Sequence, residues 1–374
     1  MANVPSLNPA VLAAREKLQH GRQRMRDQHQ QGSPGIQVCA GLTKLYDEII
    51  QDLYQAALET LATDNPLSSS LALVAHSGYG RREIAPYSDV DLMLLCPPGM
   101  DSQVAPLAQL LTQFVFDTGL QLGLTTRTAR QAWELAFRDA HILTSLVESR
   151  LLTGDDALFH RFIEGFRRRA QRRRRSSIQA ISRARRDERQ QWGSTVYLLK
   201  PNVKRSRGGL RDIQLIRWIG FVRYGQASPE KLMRQGQMSR EDREDLLEAR
   251  EFLLRLRNEM HFHAGKSQDH LDRAEQVRIA ELLDFPPDEH LLPIEQFMRE
   301  YFKHTSQVRY IATHFRASTQ TSNPLGKLFA PILRRNIGNG FWMGPVHIGA
   351  RPQILPTLCD DLAHVLRLME LANR

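Results

Sequence analysis

Residues 71–95 read LALVAHSGYGRREIAPYSDVDLMLL, and this stretch decides the fold. Its two apolar runs, Leu71–Ala75 and Val90–Leu95, have the length and composition of buried strands. The loop between them is rich in glycine, arginine and proline, as expected of a connection. Farther along, residues 103–117 have a helical pattern and Leu120–Thr126 favours a third strand. This order of strands and helices predicts a small α/β unit.

Asp89 and Asp91 lie at the start of the second predicted strand. Because side chains alternate between the two faces of a strand, both carboxylates project from one face. Two like charges at this spacing are unfavourable unless a cation lies between them. Magnesium prefers such oxygen ligands and links carboxylates to nucleotide phosphates. We therefore predict that Asp89 and Asp91 are catalytic residues that bind Mg²⁺, with the preceding Ser88 at the nucleotide.

The loop before the aspartates carries groups that bind phosphate. Ser77 and Gly78 directly follow a strand, so backbone amides can approach a phosphate and the Ser77 hydroxyl can donate to it. Arg81 and Arg82 can neutralise the charge of a triphosphate. Glu83 is expected to hold one of these two arginines.

The combination of these motifs resembles the signature of the nucleotidyltransferase superfamily that shares the DNA polymerase β fold. A closer resemblance is to the bacterial PII-protein uridylyltransferase/uridylyl-removing enzyme family. That resemblance spans about residues 40–320 and rests on these stretches: 77–83, 86–92, 117–120, 127–128, 146–155, Pro201–Lys204 and Gly208–Gln214, with 256–261 and 301–302 in the helical region.

The resemblance implies a fold and an activity. The fold is α/β plus all-α: a polymerase β-like nucleotidyltransferase domain with a mixed sheet, packed against a mostly helical domain. The implied activity is transfer of UMP from UTP to a tyrosine of the PII signalling protein, with Mg²⁺ as cofactor and pyrophosphate as the second product. Family members continue with an HD phosphohydrolase domain and two ACT domains. None of the thirteen histidines here is followed by Asp, so we expect no uridylyl-removing HD site in this sequence.

The pattern along the chain suggests four parts. We predict an N-terminal helical segment over 1–65, the nucleotidyltransferase domain over 66–155 and a helical domain over 156–320. Residues 321–374 form an extension that would lead into an HD domain. From about residue 128 onward the pattern is helical.

A loop containing proline and two glycines, Leu198–Asp212, interrupts the helical region. Lys204 and Arg211 of this loop are candidates for contact with the phosphates or the base of the nucleotide. The alternative is a buried ion pair between Arg211 and either Asp212 or Glu259. The sequence leaves both interpretations open.

The superfamily often uses a third carboxylate on its third strand, but Leu120–Thr126 contains none. Glu148 and Asp139, from the following helices, are the candidates to replace it. For Glu148 we favour the alternative, an ion pair with Arg150 or Arg127.

Positive charge is concentrated in one segment. Residues 161–190 hold twelve arginines, no lysine and three acidic residues, and therefore carry almost all of the net charge of +10. Such a segment is either a solvated helix face or a surface that binds nucleic acid or an acidic partner. We expect no nucleic-acid partner, because the motifs indicate a different function.

Three cysteines, Cys39, Cys96 and Cys359, are far apart in the sequence. A sparse, odd set of cysteines is typical of reduced thiols and favours the cytoplasm. The sequence has no run of about 18 apolar residues and no secretory signal, so no membrane span is expected.

Two other functions stay open at the level of sequence. One keeps the fold but changes the reaction to an adenylyl- or other nucleotidyltransferase with a different protein or small-molecule acceptor. The other is an inactive module that binds a partner through Arg167–Arg175, and the intact aspartate pair argues against it. No motif encodes the choice between UTP and ATP, and the sequence does not indicate the oligomeric state.

Overall fold

A four-stranded mixed sheet lies at the centre of the N-terminal half. Its strands are β1 (Ala72–Ala75), β2 (Val90–Cys96), β3 (Leu122–Thr128) and β4 (Arg150–Gly154), in the order β3-β2-β1-β4. Strand β1 is antiparallel to both of its neighbours, whereas β2 and β3 are parallel. The predicted mixed α/β unit is therefore confirmed. The likeness to the DNA polymerase β fold stays a prediction.

The structure is a computed structural model that describes residues 7–61, 70–284 and 290–320, with three further strands between 335 and 350. The chain divides into two compact units, Met1–Ala312 and Thr313–Arg374. The division into four parts that we drew from the sequence stays a prediction.

Strand β4 corrects the expectation that the chain is helical from residue 128 onward. Arg150–Gly154 pairs along β1, with a register shift between Leu73 and Val74. Only Leu152 of the five residues is buried, so the segment lacks the apolar run that marked the other strands. Its pairing partner lies far away in the sequence, where no local pattern reports it.

Helix α2 (Gly35–Thr60) packs on the sheet at β4, and helix α1 (Pro9–Gln30) packs against α2. The single helical turn α3 (Ser77–Gly80) follows β1. Helix α4 (Asp101–Thr118) makes the crossover that the parallel pair β2–β3 requires. It ends at Gly119, whose φ of 90° is left-handed and suits glycine.

The core beneath the sheet combines strand and helix residues that are completely buried. It includes Ile49, Leu53, Leu73, Leu92 and Leu111, all of which have no exposed surface. Fully burying each such side chain contributes about 2 kcal/mol. This packing fixes β2, the strand that carries Asp91.

Nine helices follow the third strand in the described part of the chain: α5 (Ala129–Ala136), α6 (Ala140–Val147), α7 (Asp156–Arg172), α8 (Arg174–Trp192), α9 (Leu210–Tyr224), α10 (Pro229–Arg234), α11 (Arg240–Ala264), α12 (Arg273–Leu282) and α13 (Pro293–Gln320). Helix α9 is buried along most of its length, which places it at the centre of this helical region. Among the described residues, no helix is both long and apolar enough to cross a membrane.

The second unit contains a three-stranded antiparallel sheet, β5 (Arg335–Gly338), β6 (Phe341–Met343) and β7 (Ile348–Ala350). These strands fall within the extension predicted for 321–374, and the rest of that extension lies outside the described residues.

Candidate active site

A cleft of about 830 Å³ opens beside the sheet, inside the first unit. Strands, the loop after β1, helix α8 and the loop before α9 all contribute to its walls. The lining includes these predicted site residues: Ser77, Gly78, Arg81, Ser88, Asp89, Asp91, Asp139, Lys204 and Arg211. Two other candidates, Arg82 and Glu148, are absent from it. The tertiary structure thus gathers into one cavity residues that are separated by more than a hundred positions.

The two aspartates flank a buried residue at the start of β2. Asp89 is exposed and Asp91 is half-buried, while Val90 between them has no exposed surface. Both aspartates line the cleft. This is the alternation that the sequence predicted, since residues two apart share one face of a strand.

The backbone of Asp91 is held at both edges of strand β2. Its carbonyl accepts a hydrogen bond from the His76 amide at 3.1 Å. On the other side Asp91 is paired with Gly123 of β3. The carboxylate therefore projects from a strand position that neighbouring strands fix on both edges.

The loop that follows β1 has a strained backbone. Ser77, Arg82 and Tyr87 all have positive φ, at 54°, 61° and 59°. Such angles are unfavourable for residues with a side chain, and strain of this kind clusters at functional sites. Arg82 is exposed, outside the lining of the cleft, so its position gives the predicted phosphate contact no support.

Ser77 is oriented by a residue that the sequence analysis did not single out. The Ser77 hydroxyl oxygen lies 2.7 Å from that of Ser145, and Ser145 also lies 2.7 Å from Nδ1 of His76. Burial lowers the pKa of His76 below its usual value, against the opposing effect of Asp91. Ser145 belongs to α6 and lines the cleft, but no motif in the sequence marks it.

The two glycines of the turn have different surroundings. A Cβ added at Gly80 would lie 2.0 Å from the Glu148 carbonyl oxygen and 2.9 Å from that of Ala75. At Gly78 the nearest atom to an added Cβ would be a guanidinium nitrogen of Arg81, 3.7 Å away. Gly80 thus permits close packing of the backbone, whereas Gly78 presents backbone to the cleft.

Glu83 holds Arg81, as the sequence predicted. Nε of Arg81 donates to Glu83 at 2.9 Å, and Nε of Arg250 donates to its other oxygen at 2.8 Å. Burial by itself raises the pKa of Glu83, but Arg81 and Arg250 outweigh this effect and lower the pKa to about 2. The pair of arginines on one buried carboxylate fixes the Arg81 side chain at the wall of the cleft.

Asp212 organises the loop that carries Lys204 and the first turn of α9, which carries Arg211. It has no exposed surface and accepts hydrogen bonds from Arg185 at 2.8 Å and from Arg189 at 2.6 Å. The Gly208 amide donates to its second oxygen at 2.8 Å. Burial by itself raises the pKa of Asp212, but Arg185 and Arg189 hold the pKa below its usual value.

The alternative that the sequence left open, an ion pair of Arg211 with Asp212 or Glu259, is therefore wrong. Arg211 donates to Gln214 at 2.9 Å, and its Nε lies 3.5 Å from the Glu188 carboxylate. Adjacent residues of a helix point in different directions, which is why Arg211 faces the cleft while Asp212 is buried. Burial lowers the pKa of Arg211 to about 10, so it remains charged at neutral pH.

Lys204 lines the same cleft in a crowded cationic environment. Nearby Arg257 and burial lower its pKa to about 7, although Asp269 acts in the opposite direction. The Lys204 backbone is fixed by Asn202, whose side-chain oxygen accepts from the Lys204 amide at 3.1 Å. An anionic ligand would relieve the repulsion among these cations.

The two candidates for a third carboxylate lie in different places. Asp139 is exposed, caps helix α6 by accepting from the His141 amide, and lines the cleft. Glu148 is buried outside the lining and forms a two-bond ion pair with Arg217, at 2.8 and 3.2 Å. An ion pair was expected for Glu148, but the expected partners were wrong.

Arg150, one of the two partners named for Glu148, is bound elsewhere. Arg150 forms a two-bond pair with Asp47 of α2, with both distances 2.9 Å. Arg217 comes from α9, about seventy positions away in the sequence, and tertiary packing alone brings it to Glu148.

Relatives of this chain are uridylyltransferases. The family described as GlnD PII-uridylyltransferase matches residues 169–315. The bifunctional uridylyltransferase/uridylyl-removing enzyme of Burkholderia lata is 33% identical over 306 residues, which cover 82% of this chain and 34% of the relative. Enzymes of the same name from Phenylobacterium zucineum and Caulobacter vibrioides are 29% and 28% identical, covering 83% and 84% of this chain and 34% of each relative. The chain spans about a third of the length of these curated relatives.

Uridylyltransferases are a class of nucleotidyltransferase, and over the region that they share with this chain the relatives carry that name. Over the region that it shares with them, the chain belongs to the bacterial PII-protein uridylyltransferase/uridylyl-removing enzyme family. The resemblance inferred from the motifs is thereby confirmed.

Proposed function

We propose that this chain is a Mg²⁺-dependent nucleotidyltransferase that transfers UMP from UTP to a tyrosine of a PII-type signalling protein. One observation carries the proposal: Asp89 and Asp91 line the same cleft as Ser77, Gly78 and Arg211. Carboxylates suited to a metal and groups suited to phosphate are the two halves of a nucleotidyl-transfer site. The names of the relatives support UTP as the nucleotide and PII as the acceptor.

The triphosphate would lie along the wall of the cleft that carries positive charge and free backbone. Gly78 offers backbone without a side chain, and the Ser77 hydroxyl adjoins it. Lys204, from the loop before α9, and Arg211, from the first turn of α9, contribute charge to the same cleft. Such fixed donors stabilise charge that develops on phosphate oxygens during transfer.

Asp89 and Asp91 would hold the Mg²⁺. The donor set fits this ion, because Mg²⁺ takes one or two carboxylates and completes its shell with waters and substrate phosphates. Asp139, at the same cleft, is the candidate for a third carboxylate. When bound, Mg²⁺ would neutralise charge on the phosphates and make the pyrophosphate a better leaving group.

The chemistry that follows is an in-line displacement. The tyrosine oxygen of the acceptor forms a bond to the α-phosphorus of UTP, and the bond from that phosphorus to the oxygen bridging to the β-phosphate breaks. The phenol proton is lost to solvent, and pyrophosphate leaves. Arg81, fixed by Glu83, lies on the wall where the phosphate charge would develop.

Label transfer tests the proposal. The chain is mixed with a PII protein, Mg²⁺ and either labelled UTP or labelled ATP, and a full-length uridylyltransferase serves as the positive control. We expect label from UTP on the PII protein, and loss of transfer by at least about a hundredfold in Asp91→Asn. Asp27→Asn, a change of the same kind on the exposed face of α1, should retain full activity.

Three results would contradict this proposal. Absence of transfer from either nucleotide by a well-folded sample would reject the catalytic function. Transfer from ATP alone would reject the choice of nucleotide. Full activity of Asp91→Asn would reject the assignment of the site.

A further inference from the structure

A groove lined by arginines lies where helix α7 ends and helix α8 begins. Its volume is about 660 Å³, and we call it the arginine corner. Its lining consists of five arginines with one glutamine and one serine: Arg168, Arg172, Arg173, Arg174, Arg175, Gln171 and Ser176. No acidic residue of the described part of the chain lines it, so nothing in that lining neutralises the positive charge.

Three arginines of the corner carry charge that no acidic side chain in the described part of the chain neutralises. Arg168, Arg172 and Arg174 are exposed. Among the residues that the structure describes, none of the three forms an ion pair or a side-chain hydrogen bond. Farther along helix α8, by contrast, Arg185 and Arg189 are bound to the buried Asp212. The two arginines that bind Asp212 are thus distinct from Arg168, Arg172 and Arg174, whose charge is exposed to a partner.

Aromatic rings next to the corner are covered on their faces. The Arg169 guanidinium lies 3.8 Å from the centre of the Trp133 ring, whose plane is stacked against Phe162. Arg173 lies 5.0 Å from the centre of the Phe137 ring. Proteins that bind single-stranded nucleic acid need aromatic faces on which bases stack. The corner offers charge without such faces, which favours carboxylates over bases as its ligand.

Helix α8 links the corner to the catalytic cleft. The helix begins at the corner, and its later residues, among them Arg183, line the cleft. At 100° per residue, Arg175, Arg186 and Arg183 fall within about 80° of arc, and Arg175 lies roughly 12 Å from Arg183 along the axis. Arg183 and Arg186 are exposed. Exposed arginines therefore recur along one side of α8 from the corner to the cleft, whose lining also includes Asp187 and Glu188.

We propose that the arginine corner is a docking surface for an acidic region of the protein acceptor. This inference rests on the proposed function, because it concerns the same acceptor whose tyrosine enters the cleft. A positive surface beside the mouth of a cleft attracts an acidic protein and orients it before contact. Binding of the acceptor at the corner would raise the local concentration of its tyrosine at Asp89 and Asp91.

The test replaces exposed charge without touching the cleft. Arg168, Arg172 and Arg174 are changed together to Gln. The matched control changes three exposed arginines elsewhere to Gln, namely Arg24, Arg234 and Arg240. Two quantities are measured at low and at raised salt: the KM for a PII protein in label transfer, and the binding of each variant to an immobilised PII protein.

In the corner variant we expect the KM for the PII protein to be about tenfold higher than in the wild type. That KM should also depend less on the salt concentration. The kcat and the KM for UTP of the corner variant should equal those of the wild type. In the control variant, the kcat and both KM values should equal those of the wild type. Binding to the immobilised PII protein should fall by a similar factor only in the corner variant.

An unchanged KM and unchanged binding in the corner variant would overturn the inference. So would a corner variant that loses binding to an RNA oligonucleotide while keeping its affinity for the PII protein. Failure of the wild type to transfer label rejects the proposed function alone, because the binding measurement decides the docking surface separately. In that case, the inference is supported if the wild type binds the PII protein and the corner variant binds it more weakly. The inference is rejected if the wild type does not bind the PII protein.

Discussion

Gly123 of β3 lies directly across the parallel ladder from Asp91 of β2. A Cβ added at Gly123 would lie 3.2 Å from the Oδ1 oxygen of Asp91. That distance is tight for a carbon beside a carboxylate oxygen. The absence of a side chain at Gly123 therefore leaves space beside the Asp91 carboxylate, which the proposed metal site would need.

Replacement of this glycine should impair catalysis while leaving the fold intact. In Gly123→Ala, we expect kcat to fall by about tenfold because the added methyl group displaces the carboxylate by a fraction of an ångström. Gly123 is exposed and has no positive φ, so the melting temperature should not change. Label transfer and thermal unfolding measure the two effects, and Gln121→Ala is the control at a neighbouring exposed position. Full activity of Gly123→Ala would show that Asp91 does not need this space.

The glycines of the turn after β1 should give opposite results. Gly80→Ala puts a methyl group against two backbone carbonyl oxygens, at 2.0 and 2.9 Å, so we expect it to destabilise the fold by about 1–3 kcal/mol or more. Gly78→Ala has room for its methyl group but places it where the phosphates would approach. It should melt like the wild type and raise the KM for UTP by about tenfold. Urea unfolding and label transfer of both variants are the measurements, and identical behaviour of the two would contradict this distinction.

Glu83 should contribute stability that disappears in acid. Its pKa is about 2 in the folded protein and 4.5 in an unperturbed glutamate, so the folded state favours the charged form. The contribution, about 3 kcal/mol, is fully present above pH 4.5 and is lost as the pH falls toward 2. We therefore expect Glu83→Gln to be less stable than the wild type at pH 7, with a difference that shrinks steadily below pH 4.5. Urea unfolding at a series of pH values tests this, and a difference that persists undiminished at pH 2 would contradict it.

Lys204 should make nucleotide binding depend on pH. Because its pKa is about 7, the side chain is charged below that pH and becomes neutral above it. The KM for UTP should therefore rise as the pH increases from 7, by at most about tenfold per pH unit. Lys204→Arg keeps its charge throughout this range and should flatten the profile. A profile for Lys204→Arg that rises as steeply as that of the wild type would exclude Lys204 as the cause.

Several features of the candidate site could be predicted because they depend on neighbours in the sequence. The alternation of Asp89, Val90 and Asp91 follows from the period of a strand. The pairing of Glu83 with Arg81 follows from two charged residues of one tight loop. The first three strands were also found within two residues of their expected limits, because apolar runs and the glycine-rich loop bound them.

Other features failed because they depend on residues far away in the sequence. Glu148 was expected to pair with a nearby arginine, yet its partner is Arg217 of α9. A pair of Asp212 with the adjacent Arg211 was one of two interpretations left open, yet Asp212 is bound by Arg185 and Arg189 of α8. In each case the side chain is buried and therefore needs a partner, but burial itself is set by how the helices pack.

The sequence by itself determined the strand that presents Asp89 and Asp91, the tight turn at Ser77 and Gly78 that follows the first strand, and the family. These depend on backbone geometry over a few consecutive residues, which the side chains of those residues control. Only the tertiary structure decided which groups face the two aspartates across the cleft. Lys204, Arg211 and the wall of α8 reach that cleft through the packing of helices, whose contacts join residues that no local pattern connects.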